Sequence, residues 1–148
     1  MAKRFNVRVY GILIKNDKVL VSDEYIKGHH ITKFPGGGLE FGEGSKECLV
    51  REFKEELNLD IIVTEHFYTT DFFVHSAFDT NSQVISIYYL VDTKEPLSFK
   101  TSEKTFDYEK IAGAQSMRWI DLNKINDNDF TLIIDKKVGE MIQKKSGR

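Results

Sequence analysis

Short apolar runs broken by polar turns dominate the chain, with one long amphipathic stretch between them. Val7 to Ile14 and Val19 to Ser22 read as a hairpin, with Lys15-Asn16-Asp17 at its turn. Asp23 to Lys33 reads as a loop, and Pro35 fixes the entry to the glycine-rich segment that follows. Ile61 to Tyr68 and Phe72 to Val74 are β-branched and aromatic enough for strands. Val84 to Val91 is the most apolar run in the chain, and its length and β-branching predict a central strand. A long polar connection, Thr93 to Gln115, carries only scattered Phe99, Phe106 and Tyr108; connections of that length in compact domains are functional or mobile. Met117 to Ile120 reads as a last strand. Leu132, Ile133, Val138, Met141 and Ile142 mark a C-terminal amphipathic helix.

The amphipathic stretch in the middle predicts a helix running from Lys46 to Leu57. Leu49, Val50, Phe53 and Leu57 form its core arc, and Glu52, Glu55 and Glu56 share an adjacent edge within about 100° of arc. Ser45 is the expected N-cap, Glu47 suits the positive end of the helix dipole, and Asn58 tolerates the left-handed conformation that ends helices. Glu47–Arg51 and Arg51–Glu55 have i, i+4 ion-pair spacing, which a solvated helix face would also show. The segment ahead of the helix changes the picture. Phe34 to Gly44 places five glycines within nine residues, so backbone can approach a ligand closely and deliver it to a helix N-terminus. Three carboxylates on one helix edge beside such a loop can hold hard divalent cations through oxygen. That chemistry suits Mg²⁺-assisted attack on a phosphate ester or anhydride, because three negative charges would otherwise repel the substrate.

The spacing from Gly37 to Leu59 resembles the Nudix box of the Nudix hydrolases. The family pattern is glycine, five residues, Glu, seven residues, Arg-Glu, an aliphatic residue, any residue, Glu-Glu, any residue, glycine, an aliphatic residue. Gly37, Glu43, Arg51, Glu52, Glu55, Glu56 and Leu59 match it in register. Two positions depart: Phe53 stands where a smaller aliphatic is usual, and Asn58 replaces the last glycine. The resemblance implies an α/β (α+β) fold, a Nudix-type α/β/α sandwich with a mixed sheet flanked by helices, as one domain over 1–148. It implies that Glu52, Glu55 and Glu56, with the main-chain carbonyl of Gly37, ligate Mg²⁺, for which Mn²⁺ could substitute. Glu52 would also orient or deprotonate the attacking water, and Glu43 would pair with Arg51 to tie the loop to the helix. Many relatives carry a further Glu shortly before the Trp that begins the last strand. Gly113 to Arg118, ahead of Trp119, holds no carboxylate, which leaves Glu103, Asp107 and Glu109 as substitutes.

The activity so implied is Mg²⁺-dependent hydrolysis of a phosphoanhydride in a nucleoside diphosphate linked to another moiety. A nucleoside triphosphate, a nucleotide sugar, ADP-ribose and a dinucleoside polyphosphate all fit. Lys27, Lys33 and Arg51 are the nearby cations that could meet substrate phosphates. Phe34, Phe72, Phe73, Tyr88 and Tyr89 are aromatic candidates for stacking a base, each with core packing as the blander role. His29 and His30 have no companion His or Cys cluster and read as loop or partly buried histidines, not ligands.

Composition narrows the rest. A net charge of −2 and pI near 6.1 offer no basic footprint for a nucleic-acid polymer. Cys48 is the lone cysteine, so no internal disulfide forms and a cytoplasmic, reducing setting is expected; its helix position reads as packing. The apolar run after Met1-Ala2-Lys3-Arg4 is broken by Arg8 and Lys15, so neither a signal peptide nor a membrane span is expected. The expected partner is a small nucleotide-type substrate, with a homodimer as the assembly option. Two other classes remain: a catalytically weak Nudix-like nucleotide sensor or regulator, and an interaction domain whose acidic helix is only a solvated face.

Overall fold

The computed structural model describes residues 2–147. The described residues form seven strands and two α-helices, the α+β content and mixed sheet that the family resemblance implies. The strands are β1 (Arg4–Lys15), β2 (Lys18–Ile26), β3 (His29–Lys33), β4 (Gly36–Gly38), β5 (Ile62–Thr69), β6 (Ser82–Asp92) and β7 (Gln115–Asp121). The helices are α1 (Ser45–Leu57) and α2 (Ile133–Lys145), with a short 3-10 turn at Asp127–Asp129. The chain divides into two compact units: Met1–Ile12 with Pro35–Phe99, and Leu13–Phe34 with Lys100–Arg148.

In the first unit β6 lies between β5 and β1, and β4 pairs antiparallel with β1 through Val9↔Gly37. The long apolar run thus becomes a central strand, as its lack of alternation requires. Helix α1 seals this unit with Leu49, Phe53 and Leu57, one turn apart and buried. Phe53 fits at its position because Gly11 opposes it on β1: a Cβ there would come within 2.6 Å of the Phe53 ring. The larger side chain of one element is matched by the missing one on the other. Val50 does not join this face; it is 39% exposed. At 100° per residue it falls on the flank of the Leu49–Phe53 line, where only the centre is covered. The predicted strand Phe72–Val74 is absent. That stretch is irregular apart from a bridge between His75 and Gln83, and Phe73 is exposed, so its aromatics lack the alternating buried face a strand needs.

In the second unit β2 pairs with the end of β1 and with β3 along one edge and with β7 along the other, all antiparallel. The first hairpin turns at Asn16 and Asp17, both with positive φ, as predicted. Asp23 to Lys33 is not a loop. It is a second hairpin turning at Lys27 (φ 47°) and Gly28 (φ 82°), two consecutive left-handed residues of the kind that match strand twist. The polar composition of its strands hid it, and burial explains that composition. Asp23 and Thr32 are cross-strand partners, both buried, and Thr32 Oγ1 donates to Asp23 Oδ1 at 2.7 Å. Arg118 closes the group by gripping Asp23 with Nε at 2.9 Å and Nη2 at 3.1 Å. Helix α2 buries Ile134, Val138 and Ile142, and Phe130 stacks on Phe34 at 4.5 Å.

Candidate functional site

Helix α1 starts at Ser45, the residue expected to cap it, so the cap lies one residue earlier. Gly44, in an extended conformation, is the N-cap, and its backbone N–H is received by Glu47 Oε1 at 2.9 Å. Glu47 therefore serves the helix start, not the predicted pair with Arg51. Ser45 is freed to meet Tyr89, hydroxyl to hydroxyl at 2.6 Å. The C-terminus ends as predicted: Asn58 is left-handed (φ 50°, ψ 39°), and its N–H donates to Lys54 O at 3.0 Å. These ends fix the helix so that its acidic edge faces the glycine loop.

The loop and helix meet at Gly37. A Cβ at this residue would land within the van der Waals envelope of the Glu52 carboxylate. Gly37 lies on β4 in register with Val9, so backbone and carboxylate are held together from both sides. No other residue type fits without displacing Glu52, which gives the first glycine of the motif a steric meaning.

Arg51 organises the carboxylates. Its Nε and Nη2 grip Glu43 at 2.9 and 2.7 Å, and Nη2 also donates to Gly38 O at 3.2 Å. This is the predicted tie between loop and helix. Nη1 meets Glu55 at 3.1 Å, Glu52 at 3.5 Å and Glu40 at 3.8 Å. One guanidinium thus faces four carboxylates. The hydrogen bond from Arg51 pulls the Glu43 carboxyl down from its ordinary 4.5 to about 2, and Glu43 in turn raises the Arg51 guanidinium. Glu56 extends the edge; its Oε2 is buried and takes no hydrogen bond, although the residue interacts with its surroundings.

Among the described residues no three His, Cys, Asp or Glu side chains stand gathered around one metal-sized point. The donor set still fits a hard cation. Carboxylates of Glu52, Glu55 and Glu56 supply oxygen only, and the missing side chain of Gly37 lets the Glu52 carboxylate lie directly against the loop backbone. An open depression of about 620 Å³ beside α1 is lined by Val50, Arg51, Lys54, Glu55 and Val63, among others.

Other residues singled out from the sequence fall elsewhere. Phe34 and Tyr88 are core, and Tyr89 is buried with its hydroxyl on Ser45. Phe73 is exposed and meets the His75 ring edge-on at 4.7 Å. Lys33 is buried, with Nζ 3.2 Å from Glu24, and Lys27 sits on the exposed hairpin turn. His30 shares a 2.8 Å hydrogen bond with the Tyr108 hydroxyl, and His29 is exposed. Asp107 accepts from Ser102 at 2.7 Å, while Glu103 and Glu109 are exposed. Cys48 is buried and its thiol is pushed up to about 12, chiefly by burial, in keeping with packing. Glu40, the fourth carboxylate on Arg51, is not among the site residues expected from the motif. Its signal was proximity alone: it precedes Glu43 by three residues, the span of one tight turn.

The model of the NUDIX domain family matches residues 4–138. Over 49 residues the chain is 41% identical to the RNA pyrophosphohydrolase of Acinetobacter baylyi, covering 33% of this chain and 30% of that relative's length. The MutT protein from Methanosarcina mazei Go1 superposes with a TM-score of 0.68 at 18% identity, over 100% of this chain and 99% of that one. A NUDIX hydrolase from Nitrosomonas europaea gives 0.68 at 17%, over 97% and 90%. At such identities the two structures speak to the fold alone.

Proposed function

From the premise that this chain belongs to the NUDIX domain family, we propose that it is a single Nudix hydrolase domain over 1–148. It hydrolyses a phosphoanhydride in a nucleoside diphosphate linked to another moiety. The observation that carries this reading is the apposition of Gly37 and Glu52, with Glu55 and Glu56 on the same helix edge. The pyrophosphohydrolase name of the Acinetobacter relative supports the reaction class.

In this reading Glu52, Glu55, Glu56 and the carbonyl of Gly37 hold Mg²⁺, or Mn²⁺ in its place. When bound, the cation neutralises the crowded oxygens of the anhydride. Glu52 orients the attacking water or takes its proton. Water adds to phosphorus, the bridging P–O bond breaks, and the second phosphate leaves. Glu43 and Arg51 touch no reacting atom; they hold the loop against the helix.

A nucleotide sensor without turnover is the second reading. It is favoured by the stretch before Trp119, where Arg118 is committed to Asp23 and no carboxylate stands.

The test is product analysis by chromatography after incubation with Mg²⁺ and nucleoside triphosphates, nucleotide sugars, ADP-ribose or dinucleoside polyphosphates. Cleavage of one class, lost with EDTA and in Glu56→Gln, is expected. If none is cleaved while a nucleotide still raises the melting temperature, the sensor reading replaces the hydrolase.

A further inference from the structure

The glycine loop holds one side chain that neither the fold nor the carboxylate centre uses. Phe41 is fully exposed. The turn that bears it is fixed at every step. Glu43 N–H donates to Glu40 O at 3.3 Å, and Glu40 N–H donates to Glu43 Oε1 at 3.0 Å. Gly42 supplies the positive φ (97°) that a turn with a bulky residue before it needs. The Glu43 carboxylate that braces the turn is itself gripped twice by Arg51. These bonds hold the backbone on both sides of Phe41 in place, and its ring stands in solvent.

The turn also stands at the rim of the carboxylate centre. Glu40, the residue before Phe41, reaches the same Arg51 nitrogen that meets Glu52 and Glu55. Resting on the hydrolase reading above, we propose that Phe41 is the stacking platform for the nucleobase of the substrate. An aromatic face suits any base, because every base offers a π surface. A ring on a backbone already held before binding leaves only its own side-chain torsions to be ordered when it is used.

The measurement is steady-state kinetics on the nucleotide that the panel selects, with wild type, Phe41→Ala and Phe41→Trp. Loss of the ring should raise KM about tenfold, equivalent to about 1.4 kcal/mol, while kcat stays within about twofold. Phe41→Trp should restore KM. Inorganic tripolyphosphate, which has the anhydride but no ring, should inhibit wild type and Phe41→Ala equally. An unchanged KM in Phe41→Ala overturns the platform. So does a parallel loss of tripolyphosphate inhibition, which would mean that the turn shapes the carboxylate centre instead. If wild type cleaves no nucleotide, the hydrolase reading fails and the platform falls with it; if it cleaves one and KM is insensitive, only the platform falls.

Discussion

Arg118 and Arg51 each grip a carboxylate with two nitrogens at almost the same distances, yet they belong to centres of opposite character. At Arg118 one positive charge meets one negative charge. Asp23 is fully buried, and its remaining capacity is taken up by Thr32 Oγ1 and by the backbone N–H of Phe106 at 3.2 Å. At Arg51 the same bidentate grip on Glu43 leaves Nη1 facing three further carboxylates, with the guanidinium 24% exposed. A closed, balanced pair has nothing left to offer a ligand, and breaking it strands a buried charge. An open centre with excess negative charge is a poor stabiliser and a good receptor for a cation. The charge ledger of each arginine therefore separates scaffold from site more clearly than its hydrogen bonds do.

That contrast can be broken by substitution. The largest effect on function is expected at the open centre: Glu52→Gln should lower turnover by about 10²–10⁴-fold with an unchanged melting temperature. The largest effect on stability belongs to the closed one. Asp23→Ala leaves Arg118 unpaired and should cost about 3–5 kcal/mol in denaturant unfolding. If Glu52→Gln unfolded the protein and Asp23→Ala did not, the assignment of scaffold and site would be reversed. Arg51→Ala should show both effects at smaller size, losing about 1.5–3 kcal/mol through its charged hydrogen bonds, with a reduced rate as the loop loosens. A variant as stable as wild type would remove Arg51 from the scaffold.

The smallest effect concerns acid. Glu43 has a folded value near 2 against an ordinary 4.5, so its contribution to stability is complete above about 4.5 and is lost as pH falls toward 2. Glu43→Gln should flatten the acid limb of the melting temperature within that window and leave its shape above pH 5 unchanged. An acid limb identical to wild type would mean that Glu43 gains nothing from Arg51 on folding.

The motif was legible because its chemistry is local. Helix α1 and its left-handed stop at Asn58 follow from spacing over a few residues, and the structure bears them out; the Glu43–Arg51 contact, implied by the family resemblance, is also made within this short span. The Asn16–Asp17 hairpin was visible for the same reason. Misreadings arose where a partner far along the chain decides the outcome. Asp23, Thr32 and Lys33 look like loop residues until Arg118 and Glu24 are seen to satisfy them inside a hairpin. The long Thr93–Gln115 connection is irregular as expected. It is nonetheless anchored, by Ser102 on Met117, Phe106 on Asp23 and Tyr108 on His30, contacts no periodicity announces. Ser45 shows the opposite limit: it was competent for the cap assigned to it, and local geometry at Gly44 chose otherwise, while Glu47 serves the helix start as expected.

Gly37→Ala tests the central claim most directly, because the added methyl group displaces the Glu52 carboxylate and leaves every charge in place. Turnover of the selected nucleotide with Mg²⁺ should fall by about 10²-fold or more, since a misplacement near 1 Å carries a cost of that order, while the melting temperature holds. Turnover equal to wild type in a folded Gly37→Ala protein would contradict the account, because Glu52 would then need no fixed place against the glycine loop.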